Sequence, residues 1–172
     1  MLDAALQAIE ESGPTGWSLR ELARRAGVSH TAPAHHFGDK TGLLTAVAAE
    51  GFDLFAGALT AAGDDFLEVG IAYVRFAVNH RAHFRVMFRP ELYRPDDPAV
   101  APARERARQI LVTGSRQLSP DPARDRTATV AAWSMAHGFA SLWLGGALSD
   151  AAETDPETVA REIIELAFGH LR

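Results

Sequence analysis

The sequence predicts an all-α protein of nine helices, with an N-terminal three-helix module followed by a helical region. Apolar residues recur at helical spacing, as Leu2, Ala5, Leu6 and Ile9 do at i, i+3, i+4 and i+7. Clusters of proline and glycine separate such segments. No segment shows the strict alternation of apolar and polar residues that is typical of a strand. These observations together favour a fold made only of helices.

The predicted helices follow one another with short breaks. The first begins at Leu2 and ends before the turn at residues 13–16, which holds two glycines and a proline. Residues 89–98 hold three prolines and predict a loop. Pro156 takes the favoured first position of the last helix. The other helices are predicted over residues 18–26, 30–37, 40–61, 64–79, 80–88, 100–118 and 124–148.

A helix-turn-helix is predicted near the N-terminus. Ser18 and Glu21 have the spacing of a capping box at the start of its first helix. Gly27 can adopt the positive φ that ends a helix, and Ser29 can cap the second helix. Asp39 can then cap the following helix. This arrangement is a common device for placing a helix in the major groove of DNA.

The segment resembles the DNA-binding domain of the TetR family of bacterial repressors. The resemblance extends from residue 2 to about residue 50, and it implies a DNA-binding domain at residues 1–46 and a ligand-binding and dimerisation domain at residues 47–172. The matching residues are Leu22, Ala23, Ala26, Gly27, Val28, Ser29, His36, Phe37, Lys40, Leu43 and Leu44.

The chain departs from the family pattern at two places. Pro33 and Ala34 stand where the family commonly has a Leu-Tyr pair, whose tyrosine helps to grip a phosphate. Pro33 falls in the first turns of its helix, where a missing N–H costs least, so the helix can form. No basic arm precedes Leu2, which predicts weaker and salt-sensitive binding.

The C-terminal part resembles one subgroup of the same family, whose regulatory domain carries a recurring Trp, His and Gly. The matching residues here are Trp133, His137 and Gly138. This resemblance implies the family's nine-helix plan, with three helices for DNA and six for regulation.

Charge and composition restrict the function further. The formal net charge is −5, but the helix-turn-helix segment carries four cationic and two acidic residues and is locally basic. The absence of cysteine excludes disulfides and thiolate metal sites. Neither a signal peptide nor an apolar run of the roughly 18 residues needed to cross a membrane is evident, so we expect a cytoplasmic protein with no membrane partner.

Two sets of side chains are expected to contact DNA. The first set lies on the exposed side of the second helix and is expected to contact base edges; it consists of His30, Thr31, Ala32 and His35. Phosphates are expected near helix N-termini and positive charges, at Ser18, Arg20, Ser29, His36 and Lys40. Arg24 and Arg25 fit phosphate contact and a solvated helix face equally well.

The regulatory region is rich in aromatic residues and methionine, of which some are expected to line an effector pocket. Most of these residues fit an ordinary core equally well, and a lone His137 on an apolar helix is more often a hydrogen-bonded core residue. The candidate pocket residues are Tyr73, Phe76, Phe84, Met87, Trp133, His137 and Phe139.

Other kinds of site are not favoured. His80 and His83 could share a helix face but lack a third ligand nearby in sequence, so no metal is expected. Ser134 and His137 lack an orienting acid and an oxyanion-hole signature, so no catalytic residue is expected. We expect no cofactor and no enzymatic activity.

Small residues in the helix at 124–148 favour close approach of another helix. A homodimer through the last two helices is therefore expected, and two DNA half-sites about 34–36 Å apart require one. Packing within one protomer is the alternative. The predicted function is a homodimeric bacterial regulator of transcription, a repressor that a small-molecule effector releases from its double-stranded DNA operator. A dimeric interaction module with weakened DNA binding, or a small-molecule enzyme, are the alternatives.

Overall fold

The computed structural model describes residues 1–119, 121–148 and 154–169, and within these ranges the chain forms nine α-helices and no strand. The all-α prediction is therefore confirmed. The helices are α1 (Leu2–Ser12), α2 (Leu19–Arg25), α3 (Ala32–Phe37), α4 (Lys40–Ala61), α5 (Phe66–Asn79), α6 (Arg81–Met87), α7 (Ala101–Ser115), α8 (Asp125–Leu144) and α9 (Pro156–Phe168). Short 3-10 turns lie at Pro90–Leu92, Arg116–Leu118 and Pro122–Arg124.

Helix α3 begins two residues later than predicted, and Ser29 does not cap it. The Ser29 hydroxyl lies 3.3 Å from the hydroxyl of Thr31, which is the residue at the N-cap. The N–H of Ala32 donates to the Ser29 carbonyl at 3.1 Å, which closes a turn before the helix starts. Pro33 occupies the first turn, where its missing N–H is tolerated.

Helix α8 ends at Leu144, before the predicted end at residue 148. The chain leaves the helix through Gly145 and Gly146, and Gly146 has φ +71°. A positive φ of this kind is accessible to glycine at little steric cost and stops the helical path.

The described residues form two compact units, of which the first comprises Met1–Leu54 and His80–Arg104. It contains α1, α2, α3, most of α4, and α6 with the loop that follows. Its largest fully buried side chains are Ile9, Leu22, Leu43, Val47, Val86, Met87 and Val100. The functional boundary proposed at residue 46 stays a prediction.

Helix α6 is fixed to α1 and α4 within this unit. The Arg85 guanidinium donates to the carbonyls of Ile9 and Glu10, both at 3.2 Å, in the last turn of α1. A Cβ added at Gly51 in α4 would lie 2.7 Å from the Met87 sulfur. Glycine at this position therefore allows α4 and α6 to cross in close contact.

The second unit comprises Phe55–Asn79 and the described residues from Glu105 onward. In it, α5 packs against α8 and α9. Two ion pairs join α5 to α9, Arg75 with Glu157 at 2.6 Å and Glu68 with Arg161 at 2.7 Å. The buried cluster of this unit consists of Leu67, Ile71, Val74, Phe139 and Ala160.

Helix α4 is long and apolar enough to cross a membrane by length and composition alone. However, 61% of its most apolar window is buried inside the protein. This burial fits a helix of the protein core.

Candidate functional site

The first helix of the predicted helix-turn-helix begins and ends as its sequence indicates. The Ser18 hydroxyl accepts a hydrogen bond from the Glu21 N–H at 3.2 Å, which satisfies one unpaired donor of the helix N-terminus. Gly27 has φ +66°, and the next N–H, that of Val28, donates back to the Ala23 carbonyl at 3.1 Å. These local contacts set the angle at which the chain leaves α2.

Most of the predicted DNA contacts are exposed to solvent, and of these His35 and His36 lie on α3. Pro33 is fully buried and anchors one side of the helix. Ala32 is half-buried, so its methyl group is less available for a base contact than expected. The exposed members of the predicted set are Ser18, Arg20, Ser29, His30, Thr31, His35 and His36.

The Lys40 ammonium group is bound within the protein. It donates to the carbonyls of Thr15 at 3.1 Å and Trp17 at 2.6 Å, and it lies 4.0 Å from the centroid of the Trp17 ring. Burial lowers the pKa of Lys40 below its usual value. These contacts tie the segment before α2 to the start of α4.

The two arginines that sequence left ambiguous have different surroundings. Arg25 pairs with Glu21 at 2.8 Å and also with Glu11, so its charge is compensated within the protein. The side chains of Arg20 and Arg24 make no ion pair or hydrogen bond among the residues that the structure describes. Their charges are therefore available to a phosphate backbone.

Asp39 joins α3 to α4, and its cap is confirmed. Its carboxylate accepts from the Gly42 N–H at 2.6 Å. Both of its oxygens also accept from the Arg94 guanidinium, at 3.1 and 2.9 Å. Sequence reasoning missed Arg94, because a partner 55 residues away leaves no local signal.

A polar cluster occupies the second unit, where Tyr73, Trp133 and His137 meet. The Trp133 Nε1–H donates to the Tyr73 hydroxyl at 3.3 Å, and that hydroxyl lies 2.8 Å from His137 Nδ1. The Phe55 ring packs edge-on against Tyr73 with centroids 5.0 Å apart. Tyr73 is buried, whereas Trp133 is partly exposed.

Both titratable members of this cluster are held in their neutral forms. Burial raises the pKa of the Tyr73 phenol far above its usual value. Burial also lowers the pKa of His137. Since Trp133 can only donate, the Tyr73 oxygen accepts from it and can donate its own proton to His137 Nδ1. This arrangement leaves the His137 proton on Nε2.

The remaining candidate pocket residues lie in other surroundings. Phe76 packs on Phe55 with ring centroids 4.9 Å apart, next to the polar cluster. Phe139 belongs to the apolar cluster between α5, α8 and α9. Phe84 and Met87 are buried in the first unit. Among the described residues, Tyr73, Trp133 and His137 meet in the second unit, whereas Phe84 and Met87 belong to the first unit.

His80 and His83 lie near a third group that sequence reasoning did not identify. His83 is buried, and its Nε2 lies 3.0 Å from a carboxylate oxygen of Glu50 in α4. The two imidazole rings meet at a steep angle with centroids 5.7 Å apart. The His83–Glu50 pair reinforces the close crossing of α6 and α4.

Helices α8 and α9 expose large apolar side chains. Leu166 of α9 is 85% exposed and Leu142 of α8 is 50% exposed. The small residues Ala132, Ala136 and Ala140 are instead buried inside the protomer, as the alternative of internal packing requires. The large leucines are the stronger indication of an interface.

Comparison with protein families gives two matches. Residues 66–167 match the family described as tetracyclin repressor-like, C-terminal domain. Residues 1–47 match the family described as bacterial regulatory proteins, tetR family. The first match alone covers more than half of the chain.

Curated relatives match this chain over a short segment. The HTH-type transcriptional regulator BetI of Burkholderia thailandensis is 46% identical over 46 residues, which is 27% of this chain. The matched segment spans only 24% of that relative.

Solved structures share the whole fold. A protein of unknown function from Rhodococcus sp. RHA1 is 31% identical with a TM-score of 0.74, and the match covers 97% of this chain and 90% of that one. A bacterial regulatory protein in the tetR family from Rhodococcus RHA1 is 23% identical with a TM-score of 0.74, covering 99% and 94%. A TetR variant from Acinetobacter baumannii AYE in complex with minocycline is 20% identical with a TM-score of 0.61, covering 99% and 95%.

Proposed function

The chain belongs to the TetR family of bacterial regulatory proteins, and we propose that it is a homodimeric repressor that a small-molecule effector releases from its DNA operator. The observation that supports this most directly is the exposed face of α3. There, Thr31 at the N-cap and His35 within the helix are exposed, whereas Pro33 in the first turn is buried.

Operator binding combines base contacts with phosphate contacts. His30, Thr31 and His35 read base edges in the major groove, with a smaller contribution from the half-buried Ala32. The phosphate contacts come from Ser18, Arg20, Ser29, His36 and Lys40, with Arg24 added because it has no partner among the described residues. These side chains position the helix but carry no sequence information.

Effector binding belongs to the second unit. The Tyr73–Trp133–His137 cluster offers a neutral hydrogen-bonding group beside the rings of Phe55 and Phe76. Such a combination of apolar walls with a few polar groups is typical of small-molecule sites. The effector lowers operator affinity only to the extent that it binds the released conformation better.

Dimerisation occurs through α8 and α9. The dimer acts in the cytoplasm, where its partner is double-stranded DNA. Leu142 and Leu166 form the apolar surface of this interface. Two-fold symmetry then places the second copy of α3 at the next half-site, about 34–36 Å away. The role is that of a regulator and requires no catalysis.

The proposal is tested by selecting binding sites from random DNA with the purified protein and then measuring binding in gel-shift assays. We expect a near-palindromic site whose affinity falls steeply with salt. The double variant Thr31→Ala with His35→Ala should lose operator binding, while its melting temperature changes little because both side chains are exposed.

The matched control is Thr113→Ala, an exposed threonine on α7. It should bind the selected site as the unmodified protein does. Normal binding by the double variant would show that α3 is not the reading helix. Failure of the unmodified protein to select any DNA would favour the interaction module instead.

A further inference from the structure

Arg94 lies outside the helix-turn-helix but holds the residue that joins α3 to α4. Asp39 follows the end of α3 by two residues and accepts from the Arg94 guanidinium through both carboxylate oxygens. The backbone N–H of Arg94 donates to the Thr45 hydroxyl of α4 at 3.0 Å. A Cβ at Gly42 would lie 3.2 Å from Arg94 Nη1, so the guanidinium packs against the first turn of α4.

The loop that carries Arg94 is itself fixed at both sides of this residue. The neighbouring Tyr93 is buried, and its hydroxyl donates to the Met87 carbonyl at the end of α6, at 3.0 Å. A turn follows in which the Asp97 carbonyl accepts from the Val100 N–H at 2.8 Å. Arg94 is therefore presented to Asp39 from an ordered support.

The pair also determines the charge beside the reading helix. Asp39 is the acidic residue nearest to α3 in the chain, and its side chain is 60% exposed. An uncompensated carboxylate there would repel phosphates, since exposed charges act over about 10 Å at 0.1 M salt. The Arg94 guanidinium compensates that charge through two hydrogen bonds from one of its nitrogens.

We propose that Arg94 is a positioning residue for operator binding, which neutralises Asp39 and fixes the α3–α4 junction from outside the helix-turn-helix. The proposal rests on the DNA-binding function proposed above. It assigns part of the operator affinity to the loop between α6 and α7, to which the sequence assigns no role in DNA binding.

Three variants separate the charge effect from a structural one. Arg94→Gln leaves the Asp39 carboxylate unpaired and should weaken binding to the selected DNA site about tenfold, with a log Kd against log salt slope shallower by about one. Asp39→Asn keeps a good N-cap residue and an oxygen that can still accept from Arg94, and it removes the negative charge, so it should bind equally or more tightly. The double variant should recover most of the affinity that Arg94→Gln loses.

Arg89→Gln is the matched control. Arg89 lies five residues earlier and pairs with Glu91, and the two side chains are 49% and 60% exposed, against 50% and 60% for Arg94 and Asp39. It should bind DNA as the unmodified protein does, and urea unfolding of each variant checks that the fold is retained.

The outcomes distinguish the two proposals. An unmodified protein that binds no DNA overturns the proposed function itself. If the unmodified protein binds but Arg94→Gln binds equally well, only the role of Arg94 is wrong. The same conclusion follows if the double variant is no better than Arg94→Gln, or if Arg89→Gln loses as much affinity.

Discussion

The hydroxyl of Tyr73 on α5 lies 2.8 Å from Nδ1 of His137 on α8, which makes a hydrogen bond between residues 64 positions apart in the chain. Trp133, one turn before His137, donates to the same hydroxyl. Two of the three residues implied by the subgroup resemblance, the Trp and the His, therefore meet at one oxygen atom. In this chain both side chains depend on the tyrosine of α5 for a hydrogen-bond partner.

Tyr73→Phe should destabilise the protein by about 1–2 kcal/mol, since it removes two partly buried hydrogen bonds and little apolar surface. Urea unfolding monitored by circular dichroism measures this loss. Tyr93→Phe removes one buried hydrogen bond in the first unit and should cost about 1 kcal/mol. Only the Tyr73 variant should alter the fluorescence of Trp133, and equal spectra for both variants would contradict the cluster.

Stability should fall in mild acid because of His137. Burial lowers its pKa in the folded protein below the ordinary value of 6.5, so the unfolded chain binds the proton more readily. The contribution of His137 is therefore complete above pH 6.5 and is lost as the pH falls toward its folded pKa.

Unfolding free energies at pH 7.5 and 5.5 test this expectation. His137→Gln should lose less stability between the two values than the unmodified protein. Burial also lowers the pKa of His80, so part of the acid effect should remain in the His137 variant. If His137→Gln loses as much stability between pH 7.5 and 5.5 as the unmodified protein does, the assignment to His137 is wrong.

Leu166→Glu should dissociate the dimer. Burial of a leucine side chain contributes about 1.5–3 kcal/mol, and a two-fold interface contains the substitution twice. The dimer dissociation constant should therefore rise by about two orders of magnitude or more, as measured by analytical ultracentrifugation. Leu54→Glu, at a 42% exposed leucine of α4, should leave the association unchanged.

Two glycines of the DNA-binding module should respond differently to alanine. Gly27→Ala places a side chain at φ +66° in open space and should cost about 1 kcal/mol. Gly42→Ala would place a Cβ in steric conflict with the Phe37 carbonyl oxygen, which belongs to the backbone and not to the end of a flexible side chain. The Gly42 variant should be the less stable of the two in thermal unfolding and should bind DNA more weakly, and the reverse order would be unexpected.

The sequence predicts the local features of this fold well. The Ser18 cap, the positive φ of Gly27 and the Asp39 cap all depend on residues close together in the chain, and all three are present. The predicted start of α3 was two residues too early, because the Ser29 hydroxyl pairs with the Thr31 hydroxyl and does not cap the helix. Competition between two adjacent hydroxyls is not visible in a pattern of residue types.

Contacts between residues far apart in the chain could not be predicted from the sequence. The amphipathic pattern predicts that Tyr73 and Trp133 are apolar candidates, but their shared hydrogen bond arises only when α5 and α8 pack together. The same holds for Lys40, which was expected to face phosphates and is mostly bound to carbonyls before α2. Arg94 could be found only from coordinates.

The contacts that α6 and its following loop make with the helices of the DNA-binding domain limit how that domain can be transferred to another protein. Arg85 donates to the Ile9 carbonyl at the end of α1, and His83 pairs with Glu50 of α4. Arg94 donates to the Asp39 carboxylate. A chimaera that grafts residues 1–46 alone onto a foreign sensor would discard all three supports. Recombination that carries residues 1–54 together with residues 80–104 keeps all three, so the portable part of this molecule is discontinuous in sequence.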